Sequence, residues 1–239
     1  MIENEKNLNA TFLDHRVGAY KAIVGLVPGF GSILSEIVGA IIPDQRMDRL
    51  VQYIKILDEK VQQIDSELLE IVRANEAVID LMEEGFVQAS RSLTNERRVY
   101  ISNLVCNGIS DEAKNYSDSK YLLKLLGELN DQEVIWLRSF LNPAIGGDQE
   151  FHRKHENVLK PIRTHIGVDD SILEQKDIQE SYKLHLERLG LIRPIYKVDK
   201  KTKFPKFNNQ GLPEISYRLI TPLGKLMLKR IGLLDSENL

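Results

Sequence analysis

"MDRLVQYIKILDEKVQQIDSELLEIVRANEAVIDLM", residues 47–82, carries the strongest periodic signal in this chain of 239 residues. Apolar side chains fall at Met47, Leu50, Ile54, Leu57, Val61, Ile64, Leu68, Ile71, Val78 and Met82, with Asn75 standing in the same series. Steps of three and four alternate without a break, the pattern of a heptad seam on an α-helix. Past Met82 the pattern weakens at Gly85, and Phe86, Ala89 and Leu93 continue it one place out of step. The spacing predicts one amphipathic helix of about 45 residues, about 67 Å long at 1.5 Å per residue, bending near Gly85. Two arrangements satisfy such a seam. A second copy of the chain can close it as a coiled coil through Leu50, Ile54, Leu57, Val61, Ile64, Leu68, Ile71 and Asn75, or the chain's own helices can cover it.

Just upstream lies "VGLVPGFGSILSEIVGAIIP", residues 24–43, with one charge, Glu36, among apolar and small residues. Proline removes a backbone donor and glycine permits turns, so Pro28-Gly29-Phe30-Gly31 predicts two short helices joined by a turn, about residues 18–27 and 32–42. Three readings remain open for this hairpin. It can be a buried core element, in which small residues allow close packing. As a single straight helix, residues 22–42 would span about 31 Å, close to the thickness of a bilayer's hydrocarbon core. Or the hairpin is sheltered in one state and released into a membrane in another. In that case Val27, Phe30, Ile33, Leu34, Ile37, Val38, Ile41 and Ile42 are its membrane-interacting side chains.

Downstream the pattern stays helical to about residue 190. Expected helices are Thr94–Asn107 stopped by Gly108, one from Asp118 or Ser119 to Leu129, and 131–141. The last of these opens on Asn130 with Glu133 three residues on, a capping-box start. A polar helix over about 149–160 follows, and then one from Asp170 stopped by Gly190. The last sixty residues change character. "LIRPIYKV" and "EISYRLI" are rich in β-branched and aromatic residues and read as two strands. "DKKTKFPKFNNQGLP" lies between them, and Thr221-Pro222 opens a final helix. The expected architecture is mainly α. It places an apolar hairpin plus long helix over 1–93, a helical region over 94–165, and an α+β C-terminal domain over 166–239.

The net charge of −3 hides an asymmetry. Residues 191–231 hold ten Lys/Arg and two Asp/Glu, whereas residues 1–190 hold 22 and 31. Such a division argues for two regions with different tasks. A single cysteine, Cys106, leaves no intrachain disulfide and favours a reducing, cytoplasmic setting, with the apolar stretch allowing attachment to or insertion in the inner membrane. The acidic, polar start offers neither the basic n-region nor the early apolar run of a secretory signal.

Chemistry is sparse. No Gly-Lys-Ser/Thr ending makes a phosphate loop of Gly25, Gly29 and Gly31. His152 and His155, three apart near Asp148 and Glu156, have metal-ligand types but sit in the polar run "DQEFHRKHENV", which reads as a solvated face. Cys106 lies among apolar residues and reads as core. No catalytic residue, metal or cofactor is assigned, and the expectation is a protein that is not an enzyme.

Leu189-Gly190-Leu191-Ile192, with Tyr217, Leu219, Thr221 and Gly224 at the entry to the last helix, resembles the second half of a winged-helix domain over some sixty residues. The resemblance implies a fold but not a ligand, since such domains bind DNA, RNA or protein. Lys200, Lys201, Lys203 and Lys206 would lie on its wing, as a nucleic-acid or partner-binding set. The helix in the recognition position, about 171–189, is near neutral: Glu174, Asp177, Glu180 and Glu187 stand against Lys176, Lys183 and Arg188.

"VPGFGSILSEIVGAIIPDQRMDRL", residues 27–50, together with that C-terminal pattern, is similar to bacterial proteins of the abortive-infection Abi-alpha family. The similarity does not extend over residues 95–170. It implies a role in antiviral defence, as a toxic or signalling component, and supplies no catalytic residues. Two functions are therefore expected. The first is a non-enzymatic antiphage effector or subunit, whose hairpin acts conditionally on membranes while its C-terminal domain binds a protein partner or a second copy. The second is a winged-helix nucleic-acid-binding transcriptional regulator dimerising through the 47–82 seam.

Overall fold

The computed structural model describes residues 46–64, 75–110, 116–141, 148–163 and 167–234, together with Glu67 and His165. The apolar stretch 24–43, and with it Val27, Phe30, Ile33, Leu34, Ile37, Val38, Ile41 and Ile42, lies outside the described residues. Among the described residues the chain is mainly helical, with nine α-helices and one two-stranded antiparallel sheet. It divides into two compact units, one of residues 1–128 with Arg230–Gly232, the other of residues 129–229 with 233–239. The expected boundary at 93/94 thus falls inside the first unit and that at 165/166 inside the second.

The first unit holds α1 (Met47–Val61), α2 (Glu76–Arg91), α3 (Asn95–Ser110) and α4 (Tyr116–Glu128). The continuous helix expected over residues 47–82 is corrected here. α1 ends at Val61, where Gln63 N and Ile64 N bond back to Lys60 O and Val61 O in a tightening turn. Asn75 then adopts extended backbone, and its side chain accepts from Ala77 N at 2.9 Å as the N-cap of α2. The heptad count could not register this. An asparagine competes for backbone hydrogen bonds and prefers a helix start to a helix interior, while two separate helices facing one core preserve the same apolar spacing.

The seam also faces inward. Leu50, Ile54, Leu57 and Val61 are buried in this unit, and α1 packs against α3 and α2. Ile64 is half-buried, and Leu68 and Ile71 lie outside the described residues. α3 touches α1, α2 and α4 and is the centre of the unit. A helix covered on several sides cannot keep a single apolar stripe. Accordingly α3 buries Ile101, Leu104, Val105 and Ile109 along with Arg97, Arg98 and Ser102. The two arginines close neighbouring helix ends, where carbonyls lack intrahelical partners. Arg97 Nη1 donates to Leu126 O of α4 at 2.9 Å, and Arg98 Nη1 to Ser92 O beyond α2 at 3.4 Å.

Gly108, expected to stop α3, lies within it. A Cβ there would come 2.4 Å from Leu81 Cδ2 and 2.9 Å from Ser119 Cβ, so this glycine serves close helix packing. α2 likewise runs through Gly85, where a Cβ would stand 2.7 Å from Val105 Cγ2 and 2.8 Å from the Tyr53 hydroxyl. Asn103 and Asn107, one turn apart on α3, donate to Ile231 O and Arg230 O at 2.7 and 2.9 Å, fastening the segment Arg230–Gly232 that belongs to this unit.

The second unit holds α5 (Asp131–Ser139), α6 (Gln149–Lys154), α7 (Glu156–Leu159), α8 (Asp170–Arg188), β1 (Ile192–Tyr196), β2 (Ile215–Ile220) and all but the last residue of α9 (Pro222–Arg230). α5 starts on the expected capping box, with Asn130 Oδ1 accepting from Glu133 N at 2.9 Å and Glu133 Oε2 from Asn130 N at 2.8 Å. The single polar helix expected over 149–160 is two short ones, broken at His155. Gly190, at φ +71°, turns the chain out of α8, a conformation that costs glycine nothing. β1 and β2 pair from Ile192↔Ile220 to Ile195↔Tyr217, with an irregularity before Tyr196↔Ile215. Thr221 Oγ1 then accepts from Gly224 N at 3.0 Å as the cap of α9.

Candidate partner-binding surface on the C-terminal hairpin

The hairpin between β1 and β2 has a forked tip. Lys197 N donates to Glu214 O and Lys197 O accepts from Lys206 N, each at 2.8 Å, so residues 206 and 214 share one edge of the first strand. The chain therefore makes two excursions. The first prong, closed by the Val198↔Pro205 bridge, turns over residues 199–204. The second, closed by Phe207↔Pro213, turns over residues 208–212.

Each prong is ordered by a short polar side chain at its start, the Asx device that satisfies a turn's free amides. Asp199 Oδ1 accepts from Lys201 N at 2.8 Å and Thr202 N at 2.9 Å, and these two bonds hold its carboxyl below the usual carboxylate range. Lys203 takes φ +62°, closing that turn. Asn208 Oδ1 accepts from Gln210 N and Leu212 N, both at 2.9 Å, and Gly211 supplies φ +76°.

The chemistry of the prongs differs. The first carries Lys200, Lys201 and Lys203 with Phe204, whose ring is 71% exposed. The second carries Asn208, Asn209, Gln210 and Leu212, with Phe207 58% exposed at its root. Lys206 sits between them, exposed. The structure thus gathers the four sequence-predicted lysines, Lys200, Lys201, Lys203 and Lys206, on one tip. Glu214 is engaged by Lys197 at 3.0 Å, and Asp199 keeps its charge within its own turn, where Lys206 also acts on it; five lysines, Lys197 included, against these two carboxylates leave the tip at +3.

The hairpin's base is anchored. Arg218 of β2 bonds to both Glu187 and Glu180 of α8. These partners raise the Arg218 pKa against the opposing effect of burial. For Glu180 burial pushes upward, but Lys183 and Arg218 together outweigh it and lower the pKa. Lys183 also stands 4.7 Å over the Trp136 ring. By spacing alone Glu180, Glu187 and Lys183 are expected among the exposed charges of this helix. In the structure these three are consumed within the unit. What α8 shows outward includes Glu174, Lys176, Asp177 and Arg188 with the apolar Leu173, Ile178 and Leu184. Spacing along a helix reports which side chains share a face, not which of them finds a distant arginine. Those exposed apolar side chains, and Phe204 and Phe207, were missing from the predicted set. The one sequence signal for the rings was their interleaving with lysines.

The other chemistry-bearing residues have structural employment. Asp148 Oδ1 caps α6 by accepting from Phe151 N at 3.1 Å, while its Oδ2 accepts from Arg138 at 2.8 Å. His155 packs on the Phe151 ring at 4.6 Å, and burial followed by Lys154 lowers its pKa. Among the described residues no three His, Cys, Asp or Glu side chains converge as metal ligands. Burial pushes the Cys106 thiol up to about 12, so it is protonated at neutral pH and a poor nucleophile. No helix among the described residues is long and apolar enough to cross a membrane.

Comparison with protein-family models, curated proteins and solved structures finds no match to this chain.

Proposed function

We propose that this chain is a non-enzymatic antiphage effector or effector subunit of the abortive-infection type, and that its second unit is a winged-helix-like module that binds a partner. One observation carries the partner-binding part. Of the twelve large hydrophobic side chains exposed among the described residues, ten belong to the second unit, on α8, the hairpin and α9. Apolar exposure concentrated in one unit supports an interaction site on that unit. The order α8, β1, long loop, β2, α9, with Thr221 capping the last helix, supports the winged-helix-like reading. The defence role is supported by the resemblance of residues 27–50 and the C-terminal pattern to Abi-alpha proteins. The conditional membrane role is supported by the composition of residues 24–43. The non-enzymatic reading is supported by the structural use made of Cys106 and Asp148.

The test is phage challenge of cells expressing the full chain, with Leu184→Asp and Phe204→Asp as separate variants. Wild type is expected to cut phage yield or arrest growth, and each variant to lose that effect with its melting temperature unchanged. Full protection by both variants would overturn the reading. Dye release from anionic liposomes tests the hairpin, with Glu36→Lys and Ile37→Lys as variants. Equal release from wild type and variants would remove the membrane part.

A regulator that binds nucleic acid and dimerises through residues 47–82 is the second reading. The four exposed lysines favour its nucleic-acid half. Its dimer half is weakened, because Leu50, Ile54, Leu57 and Val61 are used inside the first unit.

A further inference from the structure

We infer that the forked hairpin grips a single strand of nucleic acid, with Lys200, Lys201, Lys203 and Lys206 on its phosphates and the rings of Phe204 and Phe207 stacked on unpaired bases. The inference rests on the partner-binding reading and names the chemistry of the partner.

Charge complementarity is the first argument. Five lysines, the four and Lys197, share one tip with two carboxylates, Asp199 and Glu214, an excess of three positive charges. A polyanion answers such an excess by releasing counterions, and a phosphate backbone is the regular one. The local positive charge belongs to a chain of net −3, so it is a property of this tip and not of the whole protein.

The rings are the second argument. Phe204 stands exposed at the end of the first prong and Phe207 at the root of the second, each beside a turn held by Asx bonds and a positive-φ residue. A ring carried on backbone already ordered costs less to fix on binding, and a flat open face suits a base. Bases in a duplex are stacked on one another and closed to such rings, whereas a single strand offers them.

α8 and the second prong decide between partners. The outward face of α8 sets Glu174 and Asp177 against Lys176 and Arg188, beside Leu173, Ile178 and Leu184, and so offers duplex phosphates no excess of positive charge. Asn209 and Gln210 are exposed on the second prong. Burying amides in lipid without partners is unfavourable, whereas base edges supply the partners. A bilayer therefore fits this tip less well than an unpaired strand.

The experiment uses the full chain and fluorescence anisotropy. The probes are labelled 20-nucleotide oligo-dT and oligo-U and a duplex of equal length, with sedimentation on phosphatidylglycerol vesicles in parallel. Single strands are expected to bind at least tenfold tighter than duplex in low salt. The log affinity should fall with log salt with a slope of about −3, as four phosphate contacts give. Replacing all four lysines by Glu should abolish binding. Phe204→Ala with Phe207→Ala should weaken it roughly tenfold or more while leaving the salt slope in place. Duplex binding as tight as single-strand binding, no effect of removing the rings, or binding to vesicles alone would overturn the inference. If no oligonucleotide binds yet Leu184→Asp and Phe204→Asp still abolish protection, the partner-binding reading stands and its partner is of another class. If those two variants keep full protection, the reading beneath the inference has failed, and the inference with it.

Discussion

His185 Nδ1 and Glu133 Oε1 lie 2.6 Å apart, joining α8 to the first turn of α5. The same carboxylate completes the capping box through its other oxygen, Oε2, which accepts from Asn130 N at 2.8 Å. One buried side chain thus closes a helix start and binds a second helix. Glu133→Ala removes both roles at once and leaves a part-buried imidazole nitrogen without its partner. The expected loss is about 2 kcal/mol, a cap plus an unsatisfied polar group, read by chemical denaturation. A loss no larger than that of an exposed substitution such as Glu150→Ala would show that the two helices are held by other contacts.

The inward-facing seam makes a prediction about concentration. Leu57 is fully buried in the first unit, so Leu57→Ala should cost about 2–5 kcal/mol. The melting temperatures of wild type and variant should not change with protein concentration. A dimer closed through Leu50, Ile54, Leu57 and Val61 would instead melt higher as concentration rises, by mass action. That dependence would return the seam to an interface between copies.

Gly224 sits where α9 passes the chain leaving α8. A Cβ there would stand 2.2 Å from Leu191 O, a backbone atom with no side-chain freedom to retreat. Gly224→Ala should therefore destabilise by about 3 kcal/mol or more, the upper end of overpacking. Gly127→Ala is the control, since the atoms nearest its Cβ belong to the Gln88 amide, 2.9 Å away, a side-chain end that can swing aside at the cost of its bonds to Glu84 and Leu123 O. Equal stability of the two variants by thermal unfolding would refute the packing argument.

Arg218 gives a pH dependence with a defined sign. Glu180 has its pKa lowered below 4.5 in the folded chain: burial raises it, but Lys183 and Arg218 outweigh burial. A carboxyl depressed on folding contributes stability that is present above its unfolded value and is lost as pH falls through its folded value. Arg218→Met should lower the melting temperature near neutral pH, and its difference from wild type should narrow in acid below pH 4.5. A difference that stays constant from neutral to acid pH would mean that Arg218 acts through packing alone.

The sequence by itself determined the local events. Asn130 with Glu133 marked a capping box, Thr221-Pro222 marked the start of the last helix, Gly190 marked the turn out of α8, and the composition of residues 191–198 and 214–220 marked two strands. Each of these is decided by residues within a few positions of one another, where capping, turn geometry and β-propensity act. The lysines of the hairpin were equally legible, because charge is a property of the residue itself.

Only the tertiary structure decided the rest. Apolar spacing reports a face and not what covers it, so residues 47–82 read as one rod although α1 stops at Val61 and α2 begins after Asn75. Gly108 read as a stop until Leu81 and Ser119 proved to lie against it. Glu180 and Glu187 read as surface charge until Arg218, more than thirty residues away, drew them inward. The fork of the hairpin was hidden for the same reason. It depends on Lys197 meeting both Lys206 and Glu214, and a meeting between distant residues is set by how the chain folds back, which no local preference encodes.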